Sequence, residues 1–285
     1  MDLTVVIPCR NGARTIAGQL EALARQNWSG SWEVVVSDNG STDGTVAVVE
    51  SYRHRLPALR VVDSSDRAGA NHARNAGVDA ASGRSVVFCD DDDEVADGWL
   101  PAIADALHVH EFVAATLETR KLNSSWTRDP RQAQGLRNTD PSFLPYAFSA
   151  GLGIRRALHQ AIGGFDEDFV GGAEDVDYCF QAQLHGAELH WVPQAVVHYR
   201  IRQDLRGIYR QGRSYSRGDV RLYKKYRPLG MKWQPARRAV KFWLLCLPRL
   251  LLAVRSRDAL ALWVWRLGRR VGCLQGSLSH RTFAL

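Results

Sequence analysis

FCDDDDEV (88–95) places four consecutive aspartates directly after the apolar run SVVF (85–88). Neighbouring carboxylates repel one another, and a pair about 4 Å apart does so by roughly 1 kcal/mol even in water. A short, β-branched apolar run is typical of a strand that is buried on both faces of a parallel sheet. The stretch therefore predicts a buried strand that carries a cluster of negative charge to the edge of a sheet.

Apolar runs of the same kind recur along the first 200 residues, and segments with helical spacing of their apolar side chains separate them. The runs are LTVVIP (3–8), WEVVVSD (32–38), LRVVDS (59–64), RSVVFCD (84–90) and VPQAVVHYR (192–200). The helical segments lie at 15–26, 45–54 and 69–81. This alternation predicts an α/β fold with a mostly parallel sheet flanked by helices.

Polar residues follow three of these runs, at 8–11, 38–40 and 90–93. Because ligands of parallel sheets bind beyond the carboxyl ends of the strands, we expect the three clusters to share one ligand-binding rim. There Asp38 can accept a hydrogen bond from a base edge, and the backbone of 8–11 can shape a nucleoside pocket. The alternative is a pair of ordinary turns between strand and helix.

Asp90 and Asp92 have the spacing of an Asp-x-Asp metal site. Carboxylate oxygens bind Mg²⁺ or Mn²⁺, and such ions complete their coordination with substrate phosphates. A bound divalent cation would convert the repulsion between the aspartates into attraction. The alternative is a solvated acidic turn in which Asp93 or Glu94 caps the next helix.

A second acidic cluster opens a predicted helix in AEDVDY (173–178). A helix N-terminus stabilises anions, so we expect Glu174 and Asp175 to be ionised and to supply a general base. Simple capping is the alternative. The preceding GGFDEDFVGG (163–172) is rich in glycine, which suggests backbone lying close against a ligand. His198 is either a core histidine or a metal ligand.

The charge of the chain is divided unevenly between body and tail. Residues 1–199 contain 16 Lys and Arg against 27 Asp and Glu, whereas residues 200–285 contain 21 against 3. The tail therefore carries a net charge of +18 and the body −11, although the whole chain is only +7. A basic tail on an acidic body suggests an anionic partner.

The sequence of the tail predicts amphipathic helices. One arginine stripe recurs every three or four residues, at Arg202, Arg206, Arg210, Arg213, Arg217 and Arg221. The following segment is dense in Leu and Trp, with arginines between them, which is typical of interfacial helices on anionic lipid. The alternative is a small helical bundle on the first domain with a solvated basic face. Nucleic acid is the least favoured partner, because no binding motif for it is present.

The remaining features indicate a cytoplasmic protein at the inner face of the cell membrane. Five cysteines are scattered without a CxxC pair, which favours reduced structural thiols. The start, MDLTVVIP, passes directly into a strand and predicts no signal peptide. The longest apolar stretch, 242–254, is interrupted by Pro248 and Arg249 and is too short to span a bilayer.

Several of these stretches together resemble the family 2 glycosyltransferases of the GT-A fold, over residues 2–200. They are TVVIPCRN, VVVSDNGSTDGT, GANHARNAG, VVFCDDDDEVADGWL, GGFDEDF and GGAEDVDYCFQAQLHG, in the order and spacing of that family. The resemblance implies an inverting glycosyltransferase that uses a nucleotide-diphospho-sugar donor, a hydroxyl acceptor such as a glycan or glycolipid, and Mn²⁺ or Mg²⁺.

The resemblance also implies roles for individual residues. Contacts to the nucleotide or donor fall on Pro8, Cys9, Arg10, Asn11, Asp38, Gly69, Asn71, Asn75, Asp90 and Asp91. Metal contacts fall on Asp90, Asp92 and His198. Asp175 is the implied base, with Glu174 beside it. The implied donor and acceptor loop contains Gly163, Gly164, Phe165 and Asp166.

Two departures from the family pattern are visible, Asn39 in place of a second acid and Cys89 in place of a common leucine, and neither removes a required charge. RQGRSYS (210–216) lacks the Gln-x-x-Arg-Trp motif of processive synthases. We therefore expect a GT-A catalytic domain at 1–200 and a basic amphipathic helical extension at 201–285. The alternatives are a sugar-phosphate nucleotidyltransferase and a catalytically silent nucleotide-sugar-binding protein.

Overall fold

The fold was analysed in a computed structural model that describes residues 1–56, 58–124 and 143–284. The strands are β1 (Leu3–Cys9), β2 (Trp32–Asp38), β3 (Leu59–Asp63), β4 (Ser85–Phe88), β5 (Glu94–Val95), β6 (Phe112–Glu118), β7 (Leu152–Arg155) and β8 (Leu189–His198). The helices are α1 (Ile16–Ala24), α2 (Thr45–Glu50), α3 (Ala70–Asp79), α4 (Trp99–Val109), α5 (Arg156–Ala161), α6 (Glu174–Leu184), α7 (Leu205–Tyr226), α8 (Ala236–Leu244), α9 (Cys246–Ala253) and α10 (Arg257–Ser279). The middle of the sequence, roughly 116–150, has weak periodicity and predicts strands and loops; part of it, 125–142, lies outside the described residues.

The strands form one mixed sheet in the order β3-β2-β1-β4-β7-β6-β8-β5. The four strands from β3 to β4 are mutually parallel. Strand β7 is antiparallel to both of its neighbours, so β6 and β8 regain the direction of β4. Strand β5 is antiparallel to β8. Six of these strands therefore run in one direction, and the predicted mostly parallel α/β sheet is confirmed.

Alternate side chains of the central strands supply two separate cores, one on each face of the sheet. Val5 and Ile7 pack into one hydrophobic cluster, whereas Val6 packs into the other together with Phe88. Both faces are buried because helices cover both, which explains why these strands read as continuous apolar runs. The period of two along each strand thus determines which helix layer each residue contacts.

The carboxyl ends of the parallel strands lie side by side. Cys9 pairs with Asp38, and Asp38 pairs with Asp63, at the ends of β1, β2 and β3. The Cys89 N–H, just beyond β4, donates to the Val6 carbonyl at 3.0 Å. This register brings the polar clusters that follow β1, β2 and β4 to a single rim, as predicted.

The C-terminal region is helical, as predicted, and α7 and α10 are its two long helices. They approach closely because glycines spaced four apart line α10: a Cβ at Gly268 would lie 2.4 Å from the Tyr209 carbonyl oxygen, and one at Gly272 would lie 2.1 Å from that of Arg213. The contacts advance in the same direction along both helices, so α7 and α10 are parallel. None of the helices in the described ranges combines the length and apolarity needed to cross a bilayer.

Candidate active site

The loops after β1 and β2 bind each other and form one wall of the rim. The Asn11 N–H donates to Ser41 Oγ at 2.9 Å, and Asn11 Oδ1 accepts from the Thr42 N–H at 2.8 Å. Asn11 has a φ of +56°, a left-handed conformation that asparagine tolerates better than most residues. The two turns predicted to form a nucleoside pocket are therefore one hydrogen-bonded unit.

Asp38 lies at the base of this unit. Its two carboxylate oxygens accept from the Ser41 N–H at 3.2 and 3.3 Å, and the side chain is half-buried. Pro8 and Cys9, in the neighbouring strand, are buried, whereas Arg10 is exposed, and the contacts of all three with a nucleoside stay predictions. A carboxylate held in this way retains acceptor capacity for an N–H of a base, and that role stays a prediction.

Asn39 has a structural task that accounts for the absence of an acid at this position. Its buried amide nitrogen donates to the carbonyls of Ser64 and Arg67, while Oδ1 accepts from the Gly69 N–H at 2.8 Å. A carboxylate cannot donate, so aspartate would leave two carbonyl oxygens facing a negative charge. Asn39 thereby fixes the loop before α3, including Gly69, next to the end of β2.

The first two aspartates of the acidic block have partners from elsewhere on the rim. Asp90 Oδ1 lies 3.2 Å from Nη2 of Arg74, a buried arginine of α3. Asp91 Oδ2 lies 3.5 Å from Cys9 Sγ, and a Cβ at Gly12 would stand only 2.2 Å from the same oxygen. Asp91 therefore faces the loop after β1, and a side chain at residue 12 would force the Asp91 carboxyl or the Cys9 thiol to shift.

The last two aspartates contact the segment after β8. Arg200 donates from Nε to the Asp92 carbonyl and from its backbone N–H to Asp93 Oδ1, each at 2.7 Å. Arg202 Nη1 lies 3.8 Å from Asp92 Oδ2. Asp93 is 1% exposed, and its second oxygen has no hydrogen-bond partner among the described residues. Asp93 thus supports the block from inside rather than facing the rim.

Burial and mutual repulsion raise the pKa values of three of these carboxyls. Burial is the main cause for each, and the charge of Asp90 is the next. The pKa of Asp92 rises to about 6, and the pKa values of Asp91 and Asp93 also lie above the usual range. The cluster holds more negative charge than its arginines compensate, which is the electrostatic condition for binding a cation.

The oxygen donors of Asp90 and Asp92 fit a hard divalent cation. No group of three or more His, Cys, Asp or Glu side chains that could hold a metal ion is found among the described residues, and metal binding by Asp90 and Asp92 stays a prediction. His198 lies beside Glu94 at the end of β8, and its Nδ1 is 2.8 Å from Glu118 Oε2. That bond leaves Nε2 available, and a metal contact by His198 stays a prediction.

Asp175 is in the first turn of α6, as predicted, but the helix N-terminus does not keep its carboxyl ionised. Burial, followed by the charge of Glu174, raises its pKa to about 7, although Arg74 and the Val176 N–H favour the anion. The Val176 N–H donates to Asp175 Oδ1 at 2.8 Å, and Asp90 adds further repulsion. Desolvation therefore outweighs the helix dipole. A carboxyl that titrates near neutral pH is suited to general base catalysis.

Asn71 and Asn75, predicted donor contacts, bind the glycine-rich loop. The amide nitrogen of Asn71 donates to the carbonyls of Asp166 and Phe169, at 2.9 and 3.1 Å. Asn75 donates to the Phe165 carbonyl at 3.0 Å and accepts from the Phe165 N–H at 2.9 Å. These amides hold the loop against α3. A contact of Asn71 or Asn75 with the sugar-nucleotide donor would be in addition to these hydrogen bonds.

Gly163 and Gly164 turn the chain into this loop with φ values of +80° and +73°. Phe165 then enters the core and stacks on Tyr178 of α6, with ring centroids 3.9 Å apart. Asp166 points to the C-terminal region, where its Oδ2 lies 3.2 Å from Lys225 Nζ. The loop is thus anchored on both sides, and its exposed backbone lies between α3 and α7.

Helix α7 closes the site from the C-terminal side. Lys225 Nζ lies 2.9 Å from Oδ1 of the fully buried Asp177, and the Tyr226 hydroxyl donates to the same carboxyl at 2.8 Å. Arg221 lies over the Phe169 ring at 4.4 Å and donates to the Asp168 carbonyl. Arg221, one member of the predicted arginine stripe, therefore contacts the acidic loop.

The sequence analysis missed Arg74 and Arg200 as site residues. Arg74 contacts both Asp90 and Asn71, and Arg200 contacts the backbone of Asp92 and the side chain of Asp93. A signal for Arg74 existed: with Asn71 and Asn75 it has the three- and four-residue spacing that places side chains on one helix face. Nothing in the local sequence indicated Arg200.

A mixed sheet of this topology, with Asp90 and Asp92 beyond β4 and the Glu174–Asp175 pair across the rim, defines the GT-A class of α/β fold. The model of the family described as "Glycosyl transferase family 2" matches residues 4–170, which is more than half of the chain. The chain belongs to glycosyl transferase family 2.

Two relatives of known sequence illustrate the similarity. The chain is 27% identical over 217 residues to the uncharacterized glycosyltransferase YibD of Escherichia coli, covering 73% of this chain and 60% of that protein. It is 30% identical over 225 residues to the pre-mycofactocin glycosyltransferase of Mycobacterium tuberculosis, covering 72% of this chain and 44% of that protein. The chain thus spans about half the length of these curated relatives.

Solved structures confirm the fold. The mannosyltransferase PcManGT from Pyrobaculum calidifontis, in complex with GDP-Man and Mn²⁺, matches with a TM-score of 0.62 and 22% identity over 97% of this chain and 75% of that one. S. aureus TarS 1-349 in complex with UDP-GlcNAc matches with a TM-score of 0.57 and 19% identity over 99% and 93% of the two chains.

Proposed function

We propose that this protein transfers a sugar from a nucleotide-diphospho-sugar to an acceptor hydroxyl, with inversion at the anomeric carbon. One observation carries the proposal: Asp90 and Asp92 follow β4 at the rim, and a separate carboxyl, Asp175, lies near enough for the charge of Asp90 to act on it and has a pKa of about 7. The first set suits a diphosphate with its cation, and the second suits a base. Family membership supports the same reaction.

In this proposal the rim residues divide by role. The unit formed by the loops after β1 and β2 holds the nucleoside, with Asp38 accepting from the base. Asp175 removes the proton of the acceptor hydroxyl, whose oxygen attacks C1 of the sugar from the face opposite the leaving diphosphate. Glu174 tunes the pKa of that base, and the 163–169 loop contacts the sugar and the acceptor.

Asp90 and Asp92 would hold Mn²⁺ or Mg²⁺, with His198 as a further candidate ligand. When bound, the ion supplies charge stabilisation for the departing diphosphate, an effect of several kcal/mol in such sites. Mn²⁺ accompanies a nucleotide sugar in the PcManGT structure, which supports this assignment. Arg74 positions the carboxylate of Asp90, and Arg200 holds the backbone carbonyl of Asp92 and the carboxylate of Asp93.

The acceptor is proposed to be a glycan or glycolipid at the inner face of a cell membrane. The basic C-terminal region, with 21 Lys and Arg against 3 acids, favours an anionic surface. Two other functions remain as alternatives. A sugar-phosphate nucleotidyltransferase would show a Gly-rich, Lys-containing triphosphate loop after β1, and IPCRNGARTI lacks the lysine. A silent binding protein would bind the nucleotide sugar without turnover.

The identity of the sugar-nucleotide donor is tested first, by thermal shift with UDP-, GDP-, dTDP- and CDP-sugars in the presence of Mn²⁺ or Mg²⁺. Once the donor is known, the rate of nucleotide release is measured with water or with simple sugars as the acceptor. Asp175→Asn is expected to keep donor-induced stabilisation and to lose turnover. Wild-type rates from that variant would refute the base assignment, and binding without any turnover by the wild type would favour the silent protein.

A further inference from the structure

An exposed apolar row runs along α8 and α9. It consists of Val240, Trp243, Leu244, Leu247 and Leu251, which are 57%, 41%, 73%, 73% and 72% exposed. Leu252 and Val254, beside it, are 59% and 60% exposed. We propose that this α8–α9 face docks the protein onto an anionic lipid bilayer. The proposal rests on the membrane location proposed above and assigns it to one surface.

The spacing of the row shows that it is one continuous face. Its members follow one another at intervals of three, one, three and four residues, which places them on the same side of successive helical turns. A different side of the same helices is anchored in the protein, because Ala239, Phe242 and Ala253 are buried. The exposed row is therefore additional to the side that packs. Contiguous apolar surface of this kind marks an interaction site.

The charges around the row identify the partner as anionic. Residues 236–257 contain six Lys and Arg and no Asp or Glu. Arg237 precedes Val240 by three residues and Lys241 precedes Leu244 by three, so each cation neighbours a member of the row. Both cations are exposed, and neither forms an ion pair with an acid of the described residues. Apolar side chains edged by cations, with a Trp among them, suit the boundary of an anionic bilayer.

The two long helices of the region, α7 and α10, pack against other parts of the protein. Arg221 and Lys225 of α7 contact the acidic 166–169 loop and Asp177. Helix α10 presents Gly268 and Gly272 to the backbone of α7 at close range. Part of the basic stripe of α7 therefore faces the protein. The α8–α9 face, in contrast, has both exposed apolar side chains and two exposed cations, Arg237 and Lys241.

Flotation of the full chain with vesicles of phosphatidylglycerol and phosphatidylcholine tests the proposal at low salt. The triple variant Leu247→Ser, Leu251→Ser, Leu252→Ser is expected to lose at least about tenfold in partition coefficient, because each change removes apolar area that would otherwise pass from water into the bilayer. The matched control is Leu184→Ser, Leu229→Ser, Leu278→Ser, three exposed leucines elsewhere, and it should float as the wild type does.

Charge variants show which cations contribute to vesicle binding. Arg237→Gln with Lys241→Gln should weaken flotation several-fold, whereas Arg206→Gln with Arg210→Gln, two exposed positions of α7, should change it little. The fluorescence of Trp243 should shift to the blue on adding anionic vesicles, and Trp243→Phe should remove that shift. Equal flotation of the two triple variants, or a larger effect of the α7 pair, would overturn the assignment.

Two further outcomes would also overturn it. A wild type that stays unbound by anionic vesicles at low salt has no bilayer partner. A wild type that is dimeric by light scattering, and becomes monomeric in the Leu247→Ser triple variant, uses the face to bind a second copy. Donor-induced thermal stabilisation is measured on every variant and should be unchanged, so a failed donor assay and a failed docking assay are separate results.

Discussion

Replacing Lys225 by methionine should destabilise the fold, because it removes one partner of a buried carboxylate. Asp177 is 0% exposed, and its carboxyl contacts Lys225 Nζ at 2.9 and 3.0 Å, the Tyr226 hydroxyl at 2.8 Å and Gln181 Nε2 at 2.6 Å. Breaking a buried ion pair costs about 3–5 kcal/mol. Lys225 is 36% exposed and two other donors remain, so we expect about 2 kcal/mol, or a Tm lower by about 3–4 °C.

The pH dependence of the stability loss distinguishes the removal of an ion pair from a loss of packing. Burial raises the pKa of Asp177, and Lys225 lowers it, so the substitution raises the folded pKa further above the unfolded one. A raised folded pKa stabilises the protein at low pH, and that stability is lost as pH rises through the folded pKa. The deficit of Lys225→Met should therefore be largest near pH 7.5 and should shrink towards about pH 4, the unfolded pKa.

Scanning calorimetry at several pH values measures both effects, and Lys224→Met, an exposed lysine one residue earlier, is the matched control. In the Lys225→Met background, Asp177→Asn should recover about 1 kcal/mol, because the amide keeps bonds to its neighbours without a buried charge. The reasoning fails if the two lysine variants are equally stable, or if the deficit of Lys225→Met is the same at neutral and acidic pH.

Three further substitutions have definite expected results. Asn39→Asp should cost about 3 kcal/mol in chemical denaturation, because two carbonyls lose their donor, and Asn39→Ser should cost less if repulsion is part of the cause. Glu174→Gln removes a charge that raises the pKa of Asp175, so the acidic limb of the pH–rate profile should move to lower pH; an upward shift would contradict the assignment. Gly218→Ala would place a Cβ 2.0 Å from the Gly172 carbonyl oxygen, so about 1–3 kcal/mol should be lost relative to Gly44→Ala, where the space is open.

The parallel half of the sheet and its rim could be predicted from the sequence because each strand, and the residues that follow it, can be recognised from a short stretch of sequence alone. Strands buried on both faces must be continuous apolar runs, and the residues that follow them must lie at one edge. Strand β7 gave no comparable signal. Its four residues, Leu152–Arg155, are too short for a period to be recognised, and their direction depends on pairing with β4 and β6, which are distant in sequence.

The chemistry of the site could be predicted only in part. The identity of Asp90, Asp92 and Asp175 as candidates follows from residue type and position. The pKa of Asp175 depends on how completely α6 and its neighbours remove water, and no pattern along the chain reports that. The pairing of Arg221 and Lys225 with the 166–169 loop could not be predicted either, because a stripe of cations looks the same whether it faces solvent or an acidic loop.

The parallel arrangement of α7 and α10 also separates their synthesis in time. Two parallel neighbours need a connection that returns along their length, and α8 and α9 provide it over the about 33 Å of α7. Residues 227–285 take about 3–12 s to synthesise at ~5–20 residues per second. During that interval α7, and the 163–175 segment that it contacts, lack α10. The carboxylates of the rim are therefore synthesised before α10, the helix that packs against α7.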